Sequence, residues 1–316
     1  MKLYPTFAAV TRQVLPPFLC ALFVAASAPA QPVPPSSVMP PIRYVSVYGQ
    51  RIAYYELGEG KTLVLLHGLG VSAAIDWAQV IRQLSLHYRV IAVDMIGFGN
   101  SDKPNIDYTS QTFVDFLAGF LQDLGVKHFY LAGESMGGGI VALYAAESAQ
   151  PDSDLPKVDK AIITDGAVFN PNSPPPPSTR NVPASLIYVP STVKDYRDSL
   201  VKVLFTNHPS YASDAYSRDV YQLLMGYHSA STIQAMIARP GVSLDSDYIH
   251  QHLKDINIPT LIIWGKEDGV IPSIQGDYIH SVITDSKYVV IPDCGHAPAI
   301  EMPNAYLREV LAFLGE

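Results

Sequence analysis

Short runs of apolar residues alternate along this chain with longer segments whose apolar positions recur at helical spacing. Continuous apolar runs at 62–66, 90–93 and 128–132 predict buried strands, because strands covered on both faces lack alternating polar positions. Residues 108–125 carry apolar side chains at helical spacing, which predicts a helix that ends at its closing glycine. Strands that alternate with helices predict a parallel sheet with helices on both faces.

Two stretches depart from this alternation. Residues 42–57 alternate between apolar and polar positions, with a turn near Gly49, which predicts an antiparallel hairpin at the sheet edge. After a predicted strand at 161–164, prolines become frequent, and regular alternation resumes only near residue 258. We therefore expect residues 168–256 to form a cap inserted into a core made of 42–167 and 257–316.

The predicted cap is rich in tyrosine. These side chains could form an amphipathic wall over an active site. The alternative is that most of them pack the cap helices or face solvent. The seven residues are Tyr188, Tyr196, Tyr211, Tyr216, Tyr221, Tyr227 and Tyr248.

A Gly-x-Ser-x-Gly motif over 133–137 places Ser135 between the predicted strand at 128–132 and a predicted helix at 136–148. A serine on a sharp turn from strand to helix presents its hydroxyl away from the sheet. The N–H of Met136, at the helix N-terminus, would then face any oxyanion that forms when Ser135 attacks a carbonyl. The motif therefore indicates a nucleophile.

Two further motifs supply partners for this serine. Asp268 follows the apolar strand at 260–264, and His296 follows another apolar run at 288–291. A serine hydroxyl is a weak nucleophile that needs a base, and an imidazole is suited to that role at neutral pH. A carboxylate fixes the tautomer of the imidazole. The order Ser135, Asp268, His296 thus predicts a catalytic triad.

Other residues compete for these roles. Glu267 adjoins Asp268, and Asp165 follows the predicted strand at 161–164. We favour Asp268, because it lies at the carboxyl end of a strand, where open α/β sheets build their sites. His280 is the nearest competitor of His296, but it falls within a helical pattern.

Four more polar residues have expected roles near these motifs. His67 is expected to shape the loop that follows it, and Asp94 to accept hydrogen bonds from the loop at 97–99. Glu134 is either a residue that supports the site or an exposed one. Cys294 is expected to be a small buried side chain without a nucleophilic role.

No metal or cofactor is predicted. Residues 58–62 imitate the end of a phosphate-binding loop, but they precede a strand, and position 55 is tyrosine where the motif needs glycine. The chain contains no His-Glu-x-x-His, Cys-x-x-Cys or aspartate-rich loop.

Taken together, the motifs resemble those of the α/β-hydrolase superfamily, in its branch of capped serine esterases and C–C hydrolases. The resemblance implies an eight-stranded, mostly parallel sheet with helices on both faces and a helical cap after the sixth strand. It also implies that Leu69 donates the second oxyanion-hole N–H, beside Met136. Serine at the elbow separates the chain from the haloalkane dehalogenases and epoxide hydrolases, which use a carboxylate there. The matching segments are 65–70, 94–104, 133–138, 264–268 and 294–298.

Composition and the N-terminus constrain partners and location. The formal net charge of −8 makes nucleic acid or an anionic membrane surface a poor partner. Residues 1–30 combine basic positions, an apolar run at 18–26 and an Ala-Pro-Ala sequence, which predicts a signal peptide. The apolar run is shorter than the ~20 residues that span a bilayer, and an uncleaved anchor is the alternative. Residues 31–41 are proline-rich and predicted to be an extended linker.

These observations predict a periplasmic or secreted bacterial enzyme without a membrane span after cleavage. Cys294 would be its only cysteine, so no internal disulfide could form. We expect a serine hydrolase that cleaves small carboxylic esters. The alternative is hydrolysis of C–C bonds in products of aromatic ring cleavage, and a non-catalytic ligand-binding protein on the same fold is a third hypothesis.

Overall fold

A computed structural model describes residues 31–172, 192–205, 207–238 and 246–315 of the chain. Its centre is an eight-stranded sheet in the order β1-β2-β4-β3-β5-β6-β7-β8. β1 and β2 form the expected antiparallel edge, and the strands from β4 onward pair in parallel. The predicted fold class is confirmed. The strands are β1 Arg43–Val47, β2 Gln50–Leu57, β3 Thr62–Leu66, β4 Arg89–Val93, β5 His128–Glu134, β6 Lys157–Thr164, β7 Thr260–Gly265 and β8 Ser286–Ile291.

Eleven α-helices surround this sheet within the described residues. Several begin at a side chain that accepts a backbone N–H, as Ser72, Thr109 and Ser213 do. The helices are α1 Ala73–Trp77, α2 Ile81–Leu84, α3 Ser110–Asp123, α4 Met136–Ser148, α5 Val193–Val203, α6 Asp214–Tyr227, α7 Ala230–Ala238, α8 Ser246–His252, α9 Ile274–Val282, α10 Pro298–Glu301 and α11 Pro303–Gly315.

The segment after β3 differs from its sequence-based expectation. The sequence of residues 76–87 by itself predicts one helix, but the structure has two short helices, α1 and α2. The first begins earlier than expected, because Ser72 caps it by accepting the N–H of Ile75. As a result Asp76 lies within α1 and is buried.

Both faces of the sheet are covered by apolar side chains. All five residues of β3 are buried, which explains why this strand reads as a continuous apolar run. On one face, Val64 and Leu66 belong to a cluster with side chains of α3 and α4. On the other, Leu63 and Leu65 belong to a cluster that includes Trp77 and residues of α11. The sheet therefore lies at the centre of the core.

Helices α5 to α8 lie between β6 and β7, where a cap was expected. A third apolar cluster joins α5 and α6 to core residues such as Ile75 and Ile300. Most of the cap tyrosines pack within the protein: Tyr196, Tyr211, Tyr216 and Tyr227 are buried. Tyr188 lies outside the described residues, and the domain boundaries, including the limits of the cap at 168–256, stay a prediction.

The proline-rich segment contacts both the core and the cap. It contains one 3-10 turn, Pro35–Ser37. Val33 exchanges two hydrogen bonds with the side chain of Gln79, and Ser36 donates two to Asp219 of α6. The predicted signal peptide, residues 1–30, lies outside the described residues. Within the described ranges, none of the helices is long and apolar enough to cross a membrane.

Candidate active site

Ser135 lies on a sharp turn between the end of β5 and the start of α4. Its backbone has φ 54° and ψ −115°, in a region that non-glycine residues rarely occupy. The flanking glycines permit this turn: a Cβ on Gly133 would lie 2.4 Å from the Gly137 carbonyl oxygen, and one on Gly137 would lie 2.5 Å from that of Leu66. The strand and helix can therefore meet closely enough to present the Ser135 side chain.

The predicted triad residues form one row of hydrogen bonds. His296 Nε2 lies 3.0 Å from Ser135 Oγ, and His296 Nδ1 lies 2.8 Å from Asp268 Oδ2. Because an ionised carboxylate only accepts, Nδ1 carries the proton of the neutral imidazole and Nε2 is free to accept from the Ser135 hydroxyl. Asp268 and His296 are buried, whereas Ser135 is partly accessible. This geometry suits proton transfer from serine to histidine.

Backbone groups hold the Asp268 carboxylate in place. Its Oδ1 accepts the N–H groups of Val270 at 2.7 Å and Ile271 at 2.9 Å. Glu267, the adjacent competitor, instead accepts the N–H of Cys294 at 3.0 Å. Of these two neighbours, only Asp268 contacts the imidazole.

Asp165, the other competitor, lies near the row without joining it. Its Oδ1 accepts the Gly265 N–H at 2.9 Å, while Oδ2 has no hydrogen-bond partner among the described residues. Ligand-type atoms of Asp165, Asp268 and His296 all lie within 4.8 Å of one another. Burial, followed by the charge of Asp268, raises the pKa of Asp165 well above its ordinary value. The raised pKa favours the neutral form of Asp165, which limits the negative charge beside the imidazole.

The side chains of these three residues carry atoms of the kind that binds metal ions. However, Nδ1 of His296 and Oδ2 of Asp268 already bond to each other, and Asp268 Oδ1 accepts two N–H groups. These hydrogen bonds explain why the Asp268 and His296 side chains lie together. His280 lies apart from them, with Nδ1 2.8 Å from the hydroxyl of Ser286.

The loop after β3 borders Ser135. A Cβ on Gly68 would lie 3.3 Å from Ser135 Cβ, and Leu69 follows directly. Met136, the other predicted oxyanion donor, is the first residue of α4, where N–H groups lack partners within the helix. Both predicted donors thus lie on backbone that adjoins Ser135.

His67 shapes this loop, as expected from the sequence. Its Nε2 accepts the Met95 N–H at 3.0 Å, so its Nδ1 must donate to the Gly68 carbonyl at 2.7 Å. Burial lowers the pKa of His67 to about 4, so the ring is neutral at neutral pH. His67 therefore fixes backbone rather than moving protons.

Two buried acids lie beside Ser135: Asp76 had no expected role from the sequence, whereas Glu134 was expected either to support the site or to be exposed. Asp76 Oδ2 accepts the Gly68 N–H at 2.7 Å, and burial raises the pKa of Asp76 to about 7. Glu134 is buried rather than exposed, and its Oε2 has no partner among the described residues. Burial and then the charge of Asp76 raise the pKa of Glu134 well above its usual value. The sequence signal for Asp76 was its position as the one polar residue in the otherwise apolar helix α1.

Asp94 and Cys294 have structural positions. Asp94 accepts the N–H groups of Asn100 and Ala73, both at 2.8 Å, and a Cβ on Gly99 would lie 2.2 Å from its Cγ. It therefore supports the loop that follows β4, although through Asn100 rather than through residues 97–99 as expected. Cys294 is a free, fully buried cysteine whose thiol pKa is raised by burial.

Residues 61–303 match the family model described as the alpha/beta hydrolase fold. The chain belongs to the α/β-hydrolase family. It is 31% identical over 281 residues to a 2-hydroxy-6-oxo-2,4-heptadienoate hydrolase of Pseudomonas putida, which covers 86% of this chain and 95% of the relative. With its serine elbow and these relatives, this α/β-hydrolase is a serine hydrolase.

Solved structures give the same fold and two kinds of activity. A meta-cleavage product hydrolase from Pseudomonas fluorescens, in a mutant form complexed with acetates, is 26% identical with a TM-score of 0.74 over 86% of this chain and 97% of that one. A membrane phospholipase A, described as a bacterial virulence factor, is 27% identical with a TM-score of 0.73 over 87% of this chain and 86% of that one. These proteins are enzymes, so the likeness gives no support to a non-catalytic binding protein.

Proposed function

We propose that this serine hydrolase cleaves a C–C bond next to a ketone, in a product of aromatic ring cleavage. The observation that carries the proposal is the likeness, over 86% of the chain, to a hydrolase of a 2-hydroxy-6-oxo-dienoate. This reverses our expectation from the sequence, in which ester hydrolysis came first. The row of Ser135, His296 and Asp268 supplies the chemistry that either reaction needs.

The reaction would begin at the ketone carbon. Ser135 Oγ attacks it while His296 Nε2 takes the hydroxyl proton, and Asp268 stabilises the resulting imidazolium. The carbonyl oxygen becomes an oxyanion, which the N–H groups of Leu69 and Met136 are proposed to bind. Asp268 would act as the orienting acid throughout.

Collapse of this intermediate breaks the C–C bond. In the 2,6-dioxo tautomer of the substrate, the electron pair stays on a carbon whose charge is delocalised into the conjugated keto acid. The imidazolium of His296 gives up its proton, and the delocalised anion is protonated on its enolate oxygen, which releases a 2-hydroxydienoate and leaves the acyl group on Ser135. Water, deprotonated by His296, then attacks the acyl-enzyme and releases a carboxylic acid.

Loss of the conjugated chromophore tests this proposal. The purified protein and its Ser135→Ala variant would each be mixed with 2-hydroxy-6-oxohepta-2,4-dienoate, and the decay of its absorbance followed. We expect decay that depends on Ser135, with a loss of several orders of magnitude in the variant. Equal decay in both proteins, or none in either, would contradict the proposal.

Ester hydrolysis is a second candidate, favoured by the charge around the site. Among the residues that the structure describes, six aspartate and glutamate side chains and two histidines are buried. No lysine or arginine of this part of the chain is buried. A dienoate carries a carboxylate that ionised neighbours such as Asp268 would repel, whereas a neutral ester carries none. The likeness to a phospholipase A points the same way.

A series of p-nitrophenyl esters tests this second candidate. Ser135-dependent turnover with a clear optimum of acyl length would support a small-molecule esterase and measure its acyl pocket. A flat, slow series in which turnover barely depends on Ser135 would reject it.

We also propose that the enzyme acts in the periplasm or outside the cell, from the basic and apolar pattern of residues 1–30. N-terminal sequencing of the protein recovered from a fractionated bacterial host would test this. A mature chain that begins at Gln31 in the periplasmic or culture fraction would support the proposal. A full-length chain in the membrane fraction would indicate the uncleaved anchor instead.

A further inference from the structure

A histidine of the cap forms two contacts with core carboxylates. His208 lies between α5 and the 3-10 turn Pro209–Tyr211. Its Nδ1 is 2.9 Å from Glu301 Oε1, and its Nε2 is 3.2 Å from Asp293 Oδ2. Glu301, at the end of α10, is fully buried, whereas Asp293 is largely exposed. The pair of His208 and Glu301 thus joins the cap to the interior of the core.

Glu301 continues this connection to the loop that carries His296. Its Oε2 accepts the N–H of Gly295, the residue before His296. The cap also touches Gly295 directly, since a Cβ there would lie 2.9 Å from the Leu204 carbonyl oxygen and 3.1 Å from Glu301 Oε2. Cap backbone, Glu301 and the histidine loop therefore meet at one point.

Both ring nitrogens of His208 face carboxylates. Nδ1 shares a hydrogen bond with the buried Glu301, whereas Nε2 lies 3.2 Å from Asp293 Oδ2 at the surface. Tyr211 stacks on the ring with centroids 4.7 Å apart. Burial raises the pKa of Glu301, while its hydrogen bonds from His208 and Gly295 oppose that rise. Glu301 also interacts electrostatically with four other ionisable groups, which are Asp165, Tyr211, Asp293 and Cys294.

We propose that His208 and Glu301 are positioning residues through which the cap fixes the loop of His296. Without His208, Glu301 is left buried with one hydrogen bond fewer, a state that favours its movement or protonation. Either change weakens the hydrogen bond that Glu301 accepts from the Gly295 N–H. The loop then shifts, and His296 Nε2 no longer lies at the right distance from Ser135 Oγ. The inference rests on the proposed function, because it assumes that His296 is the base.

The rate at which a fluorophosphonate labels Ser135 measures how well His296 is positioned, and the assay needs no natural substrate. The second-order labelling rate reports how well His296 activates the serine, whichever bond the enzyme cleaves. His208→Phe keeps a ring over Tyr211 but removes the hydrogen bond to Glu301, and His208→Gln keeps a hydrogen-bond donor in the side chain. Tyr227→Phe is the matched control, because it removes a different hydrogen bond between cap and core, the 3.1 Å contact with Ser72.

We expect His208→Phe to slow labelling about tenfold, with His208→Gln between it and the unchanged protein. Tyr227→Phe should label at the unchanged rate. General damage to the fold would slow labelling in His208→Gln as much as in His208→Phe.

Three results would overturn the proposal: both His208 variants label at the unchanged rate, Tyr227→Phe slows labelling as much as His208→Phe, or His208→Gln slows labelling as much as His208→Phe. Absence of labelling in the unchanged protein would overturn the catalytic role of His296 as well. The two failures are therefore distinguishable, because the first three leave Ser135 reactive.

Discussion

Replacing Asp268 by asparagine should reverse the tautomer of His296. Asp268 accepts three hydrogen bonds: two backbone N–H groups bond to Oδ1, and Nδ1 of His296 lies 2.8 Å from Oδ2. Asparagine has only one oxygen, and the two N–H groups are held by backbone that cannot turn away. That oxygen should stay with them, so that the amide NH₂ faces His296 Nδ1.

An imidazole facing that NH₂ must accept at Nδ1, which places its proton on Nε2. Nε2 then points a hydrogen at Ser135 Oγ, 3.0 Å away, and cannot take the serine proton. An asparagine in the equivalent role of a serine protease lowers kcat about 10⁴-fold. Such a factor corresponds to about 5.4 kcal/mol of activation free energy.

Steady-state kcat for Asp268→Asn, measured on whichever substrate shows Ser135-dependent turnover, checks this expectation. Asp165→Asn is the matched control, because Asp165 is equally buried but does not bond to the imidazole. We expect a loss of about 10⁴-fold for Asp268→Asn and a much smaller loss for Asp165→Asn. Activity within tenfold of the unchanged enzyme for Asp268→Asn, or the reverse ranking, would refute the reasoning.

Three shorter predictions concern stability and reactivity. Because the pKa of Asp76 is raised from its ordinary 3.8 to about 7, its stabilising contribution is full below the ordinary value and falls progressively as pH rises to about 7. Melts at pH 5 and 8 should therefore show Asp76→Asn gaining stability relative to the unchanged protein at the higher pH. Gly137→Ala, whose Cβ would lie 2.5 Å from the Leu66 carbonyl, should lower the free energy of unfolding in urea by about 1–3 kcal/mol, whereas Gly226→Ala, with nothing within 4 Å, should raise it slightly. The buried Cys294 should react with a thiol reagent only in denaturant, and reaction in the native protein would contradict its placement.

The residues around Ser135 could be predicted from the sequence because their constraints are local. The elbow needs glycines at fixed offsets from the serine, and each partner of the serine follows a continuous apolar strand. Parallel strands bring their carboxyl ends to one edge of the sheet, so the order of Ser135, Asp268 and His296 along the chain sufficed to expect them together. The continuous apolar strands were equally readable because both faces of the sheet are buried.

The buried acids around the row could not be predicted in the same way. Asp76 and Glu134 lie on different elements, and only the fold shows that both are buried away from solvent beside Ser135. Asp76 also depended on a helix boundary, which Ser72 shifts toward the N-terminus. Such boundaries are the least certain part of a sequence-based assignment.

The link from His208 to Glu301 spans 93 positions of the chain. No local pattern joins a cap histidine to a glutamate of a four-residue helix, so its detection required three-dimensional packing. The contacts of Ser36 with Asp219, 183 positions apart, escaped prediction for the same reason. Long-range polar pairs leave no periodic trace in a sequence.

Two substrates with the same acyl group test the central claim most directly. Attack on 2-hydroxy-6-oxohepta-2,4-dienoate and on p-nitrophenyl acetate would give the same acetyl group on Ser135, so the two reactions share the acyl-enzyme and differ in the leaving group and in the bond broken. The measurement is kcat/KM for each substrate, with the Ser135→Ala variant as blank. We predict a larger Ser135-dependent kcat/KM for the dienoate. A larger value for the ester, with no Ser135-dependent turnover of the dienoate, would contradict the account and favour an esterase.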